Sequence, residues 1–321
     1  MSSLPVIDAE RLGALVPMQE AVDALEEAFG LGRVPKAPLR MRLETDAGTL
    51  LAMPATGPQG SGVKLVTLTP SNPGRGLPLI HGLYVLFAGD SQRPEAAIDG
   101  AALTALRTGA VSALATRYLA RPEASRLVLF GAGIQGRAHL EAMRAVRPVE
   151  RVVVVSRSAG RAEELVGTAR ALGLDARVGD PGAVAEADLV CTCTTSPTPV
   201  FEGGRLADGA HVNAVGAYTP DTRELDDEAI RRARVVVETR EAALAEAGDL
   251  LIPMEAGLIP PDHVVADLAE LVGGAEVRRD SSDVTVFKSV GVAFEDLVIA
   301  RAVVDRLVRP PDAGAPSGPG R

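Results

Sequence analysis

The run Arg126-Leu127-Val128-Leu129-Phe130 leads directly into Gly131-Ala132-Gly133-Ile134-Gln135-Gly136. The apolar run reads as a buried strand, and the G-x-G-x-x-G spacing turns it into a helix expected to start near Arg137. Gly131 permits the tight turn, Gly133 lets a pyrophosphate approach the backbone, and Gly136 lets helix and strand pack closely. With Ile134 and Gln135 they form a loop at a helix N-terminus, whose unpaired N–H groups suit an anion. A second strand, Arg151–Val155, follows about one helix later, as a dinucleotide-binding unit requires. It ends in Ser156-Arg157-Ser158, with Arg161 one turn into the next helix. In NAD-type folds a carboxylate stands there on the ribose hydroxyls. A hydroxyl and two guanidiniums stand there instead, and guanidinium forks suit phosphate. Ser156, Arg157 and Arg161 therefore point to NADPH in preference to NADH.

Lys64 is the second chemical signal. It sits in the apolar run Gly62–Leu68, where an unpaired ammonium would be costly to bury. Arg107 lies among small residues on a long helix, Ala101–Ala120. His81 and His139 carry weaker signals: His81 is a possible proton donor in a cleft, and His139 is assigned to the surface. Cys191 and Cys193, the only cysteines, read as buried strand residues, and the four histidines form no metal-type cluster.

The elements that must position these residues are legible as a pattern. Pro17–Gly30 has the helical spacing of an amphipathic helix. Between Leu39 and Asp90, short apolar runs (50–53, 63–68, 83–87) alternate with turns, as in a sheet of hairpins. From Arg126 the rhythm is strand–helix–strand, with strands expected at 126–130, 151–155, 176–178, 188–193, 211–215 and 234–238. That alternation implies an α/β protein with a Rossmann-type, doubly wound parallel sheet beside a mixed α/β N-terminal part. The expected division is 1–115 for the substrate and dimerisation domain, 116–294 for the dinucleotide domain, 295–309 returning to the first, and a disordered tail at 310–321. A net charge of −9 argues against nucleic acid as partner. No apolar stretch is long enough for a bilayer, and Met1–Glu10 lacks the features of a signal peptide, so no membrane partner and a cytoplasmic location are expected.

Five segments occur in order: Gly62–Val66 (GVKLV), Leu103–Ser112 (LTALRTGAVS), the GAGIQG loop, Val212–Gly216 (VNAVG) and Val286–Gly291 (VFKSVG). Together they resemble the ornithine cyclodeaminase/mu-crystallin family from about residue 15 to 308. The resemblance implies a homodimer joined through its N-terminal sheets and an active site in the cleft between domains. It also implies that Arg40, Lys64 and Arg107 hold a substrate carboxylate, with the preceding Pro38-Leu39 favouring Arg40 over Arg42. Thr108, Val215 and Ser289, in these segments, and Thr194, just after the strand expected at 188–193, complete the expected cofactor contacts. Glu295 and Asp296 are expected to orient backbone or pair with a cation, without a catalytic role.

One departure matters. Where the family's cyclodeaminases carry an acid/base aspartate after N-A-V-G, this chain has Tyr218, and a phenol of pKa about 10 is a poor base near neutrality. The segment resembles the mu-crystallin and imine-reductase branch. The expected activity is thus NADPH-dependent reduction of an imine next to a carboxylate, such as Δ1-pyrroline-2-carboxylate or Δ1-piperideine-2-carboxylate. Lys64, an ordered water or Tyr218 would supply the proton. The alternatives are an ornithine cyclodeaminase or amino-acid dehydrogenase, and a non-catalytic protein that holds NADPH or a small ligand.

Overall fold

Two sheets share one continuous apolar core in the computed structural model, which describes residues 4–32, 37–58 and 60–308. The elements run β1 (Val6–Ile7), α1 (Ala9–Leu15), α2 (Met18–Gly30), β2 (Met41–Thr45), β3 (Gly48–Gly57), β4 (Gly60–Leu68), β5 (Ile80–Phe87), β6 (Pro94–Asp99) and α3 (Gly100–Leu119). They continue β7 (Arg126–Phe130), α4 (Ile134–Val146), β8 (Arg151–Val155), α5 (Ala159–Ala171), β9 (Asp175–Val178), β10 (Leu189–Thr192), β11 (His211–Ala214), α6 (Asp227–Arg232) and β12 (Arg234–Val237). The chain ends α7 (Arg240–Glu246), α8 (Gly248–Glu255), β13 (Val264–Asp267), α9 (Leu268–Val272), β14 (Thr285–Lys288) and α10 (Ala293–Val308).

The first sheet has the order β1-β6-β5-β4-β3-β2 and is antiparallel except where β1 joins β6. Alternation along β4 turns Lys64 and Val66 inward and Leu65 and Thr67 outward. The second sheet, β13-β12-β14-β11-β10-β7-β8-β9, is parallel throughout. Its strands are short Val-rich runs buried on both faces, as parallel sheets require. The chain leaves β7 towards β8 and β9 on one side and returns to β10 on the other. The crevice at the carboxyl ends of β7 and β10 is therefore the switch point where doubly wound folds take ligands.

The six expected strands of the second sheet are present within a residue or two. Strands β13 and β14 were not anticipated; they follow the last strand of the strand–helix–strand alternation that the sequence pattern shows. The helix after the glycine loop begins at Ile134, not near Arg137. It can start that early because Gly136 has no side chain; a Cβ there would lie 2.1 Å from the Gly131 carbonyl oxygen. Helix α10 packs against α2, α3 and the strands β3–β5 of the first sheet. Phe294 meets Phe29 edge to face at 5.9 Å, which anchors its first turn. The tail expectation falls on residues outside those described.

Candidate active site

The expected nucleotide residues gather at the carboxyl edge of the parallel sheet. Gly131, Ser156, Val215 and Ser289 each follow immediately on the last residue of β7, β8, β11 and β14, and Thr194 lies two past β10. Gly131 has φ 98°, and a Cβ there would meet the Cys193 carbonyl oxygen at 2.5 Å. Gly133, by contrast, has nothing within 4 Å of where a Cβ would stand, so its backbone faces open space. It caps α4 without any side-chain hydrogen bond, leaving the first N–H groups of the helix free for an anion. A groove of about 660 Å³ runs past Gly131, Gly133, Ser156, Arg157, Arg161 and Thr194. Among the described residues neither Arg157 nor Arg161 has a carboxylate partner; Arg157 reaches only the Thr195 hydroxyl, at 3.4 Å. This cradle fits a dinucleotide: Gly131 and Gly133 would face its pyrophosphate, and Arg157 and Arg161 its ribose.

The groove meets a second cavity, of about 210 Å³, at Cys193–Thr195, which line both. Arg40, Lys64, Arg107 and Tyr218 all line this second cavity. Helix α3 presents Thr104, Arg107 and Thr108 to it, a spacing that shares one helical face. Lys64 Nζ is buried and lies 2.8 Å from Asp296. Arg107 donates from Nη1 to Glu295 at 2.8 Å and brings Nε to 3.4 Å from Asp296. Both acids stand in the first turn of α10, where the helix dipole also favours negative charge. Burial pushes the Lys64 ammonium down to about 8, with the nearby Arg107 and Arg40 charges adding to the shift and Asp296 opposing it. Burial and the adjacent Glu238 carboxylate push Glu295 well above the usual carboxylate range.

Arg40 is held differently. Its Nε and Nη2 donate to the two oxygens of Glu246 at 2.8 Å, and Nη2 also donates to the carbonyls of Val290 and Gly291. The Tyr218 ring lies 5.3 Å from its guanidinium carbon. The bidentate grip of Glu246 leaves Nη1 as the nitrogen without a hydrogen bond among the described residues. Arg42 is exposed and pairs with Glu44 instead. The two arginines do not share a strand face, because the strand begins only at Met41.

A buried polar network fixes the loop that carries Tyr218. Glu224 accepts from the Thr192 hydroxyl, from the N–H and hydroxyl of Thr194, and from the Gly216 N–H, and so ties the ends of β10 and β11 together. Asp249 accepts the Glu224 and Leu225 N–H groups and pairs with Lys288, which donates to the Ala217 carbonyl. Glu238 takes the Ser289 hydroxyl and the N–H groups of Val290 and Gly291. The VFKSVG segment thus serves as a bracket, with the Ser289 hydroxyl committed to Glu238.

Several expectations shift. The Gln135 side chain faces the second cavity, where it reaches the Thr104 carbonyl. Its Oε1 and the Thr108 hydroxyl are buried without a partner among the described residues, which leaves two polar atoms for a ligand. His139 is fully buried, not on the surface. It bonds the Gln135 carbonyl and the Ser112 hydroxyl, and burial pushes its pKa down to about 4, so it stays neutral. His81 is exposed on the outward face of β5, opposite Thr67. Asp221 is likewise exposed and lies outside the cavity lining. Glu246, Glu224 and Asp249 carried no signal in the sequence. Glu295 and Asp296 carried a faint one, since two adjacent acids interrupt an otherwise apolar helix.

The sequence matches the ornithine cyclodeaminase/mu-crystallin family over residues 5–310. The chain belongs to this family. It is 36% identical over 319 residues to a Δ1-pyrroline-2-carboxylate reductase of Bacillus cereus, covering 94% of this chain and 96% of the relative. Among solved structures it resembles the Δ1-pyrroline-2-carboxylate reductase of Thermococcus litoralis in complex with NADH and L-proline. That match has a TM-score of 0.91 and 34% identity, over 95% of this chain and 98% of the other. An archaeal alanine dehydrogenase dimer with bound NAD gives a TM-score of 0.89 at 32% identity, over 95% and 96%. The family's two-part architecture is the one described above. No helix among the described residues is long and apolar enough to cross a membrane.

Proposed function

We propose that the protein is an NADPH-dependent reductase of an imine adjacent to a carboxylate, with Δ1-pyrroline-2-carboxylate and Δ1-piperideine-2-carboxylate as its natural substrate type. The observation that carries this reading is the composition of the second cavity. Three cations converge on it, and among the described residues lining it there is no Asp, Glu or His. Such a lining holds a carboxylate and offers no base for the amine of an open-chain diamino acid. Tyr218 caps Arg40, and so does not replace the cyclodeaminase aspartate. The relatives named as Δ1-pyrroline-2-carboxylate reductases point the same way.

When bound, the dinucleotide supplies hydride. The imine carbon would take it and the nitrogen a proton, so that the C=N bond would become a C–N bond as the dinucleotide is oxidised. Arg107 and Arg40 Nη1 hold the carboxylate, which fixes the face of the neighbouring carbon; orientation of this kind removes several kcal/mol of barrier. Lys64, lowered to about 8 yet still charged at neutrality, gives its proton more readily than an ordinary lysine. Ser156, Arg157 and Arg161 favour a 2′-phosphate, the basis for NADPH over NADH. Two copies join through the outer face of the first sheet, where Met41, Leu43, Leu65 and Leu83 stand exposed on one side.

The test is oxidation of NADPH and of NADH with the two cyclic imines, beside L-ornithine with NAD. Fast NADPH oxidation without ammonia from ornithine is the expected result. Ammonia release would overturn the reading from Tyr218.

A further inference from the structure

The three cations occupy one end of the cavity, and the remainder of its sheet wall is apolar. Along the inward face of β4, Lys64 is followed by Val66 and then Leu68, each step covering about 6.6 Å. The neighbouring strands keep this character: Met53 lies opposite Lys64, Leu51 opposite Val66, and Ile80 opposite Leu68. From the carboxylate end the wall therefore runs about 13 Å to Leu68 and Ile80. A pyrroline ring is shorter than the first of these two steps. Ile80 is 40% exposed, so the wall ends at solvent and not at a closed floor. A charged or polar substituent laid along this wall would lose water without gaining a partner.

We infer that the site takes α-imino monocarboxylates bearing an extended aliphatic substituent, with Leu68 and Ile80 as the specificity-determining residues at the far end of the wall. This inference rests on the reductase reading above and extends its substrate class. The chemistry is unchanged, since the hydride and proton go to the same C=N bond while the substituent lies along Val66 and Leu68. It also separates this chain from enzymes for dicarboxylate imines, whose second carboxylate would fall on the apolar wall.

The experiment measures NADPH oxidation with imines formed from methylamine and a series of 2-oxo acids from pyruvate to 2-oxotetradecanoate, with Δ1-pyrroline-2-carboxylate in parallel. The expected result is a rise in kcat/KM of up to about fourfold per buried methylene, levelling off once the chain passes Ile80. In Ile80→Asp the ratio of kcat/KM for 2-oxododecanoate to that for pyruvate should fall at least about tenfold, since the chain end then meets a charge. A series that is flat or falls with chain length in the parent protein overturns the inference. So does an unchanged ratio in the variant. Oxidation confined to the cyclic imine overturns this inference alone, whereas no oxidation with any imine overturns the reductase reading with it.

Discussion

The substrate cavity and the nucleotide groove both present guanidinium or ammonium groups to an anionic ligand, in opposite settings. In the cavity every cation is backed by a carboxylate: Lys64 by Asp296, Arg107 by Glu295 and Asp296, Arg40 by Glu246. Lys64 and Arg107 are almost wholly buried, at 1% and 5% exposure. In the groove Arg157 and Arg161 are exposed and have no carboxylate partner among the described residues. Buried ions need partners because desolvation costs several kcal/mol per charge, and the partners then fix each donor's direction. Exposed ions keep their water and can swing. On the proposed function, the cavity serves geometry at a reacting carbon, and the groove attraction and selection. A change in the first should strike both rate and stability, and a change in the second only affinity.

The largest effect is expected from Lys64→Met. Loss of the proton source should lower kcat by about 10²- to 10⁴-fold. Asp296, left with only its longer contact to Arg107, should also cost up to about 3–5 kcal/mol of stability, read as a lower denaturant midpoint. Adding Asp296→Asn should recover stability and not rate; recovery of both would mean that Lys64 only balances a charge. The same contrast predicts a pH profile. Lys64 loses its proton as pH rises through about 8, so kcat should fall above that value, and a rate flat to pH 10 would exclude Lys64 as donor.

The groove should behave otherwise. Arg157→Glu with Arg161→Glu is expected to raise KM for NADPH about 10- to 100-fold and to change KM for NADH far less, with thermal unfolding unmoved. Equal loss for both dinucleotides would remove the ground for NADPH preference. The smallest effect, and the sharpest separation of binding from folding, comes from two glycines of one loop. Gly133→Ala places a methyl in open space and should weaken dinucleotide binding about tenfold at unchanged stability, measured by fluorescence titration. Gly136→Ala drives a methyl into the Gly131 carbonyl and should destabilise the fold itself, seen as a lower melting temperature. If the two variants behaved alike, the loop would not divide its roles as described.

What could be read from the sequence follows the range of the forces involved. The glycine loop was legible because strand, turn and helix start are adjacent in the chain, and each glycine answers a local steric demand. The helix start was misplaced by three residues for the same kind of reason, since it depends on how closely Gly136 approaches Gly131. His139 was misjudged because its burial is decided by α3, which supplies Ser112 from 27 residues away.

The amino-acid sequence by itself determined the parallel dinucleotide-binding sheet, the identity of the cations, and the absence of an acid at position 218. These depend on residue type and short-range spacing. Only the tertiary structure decided how those cations are held. Glu246 reaches Arg40 across 206 positions, Asp296 reaches Lys64 across 232, and Glu295 reaches Arg107 across 188. It likewise decided that an apolar wall continues past Lys64. The Lys64 and Arg107 pairings are set by the docking of α10 against α3 and the first sheet, where burial removes water and leaves the charges only one another.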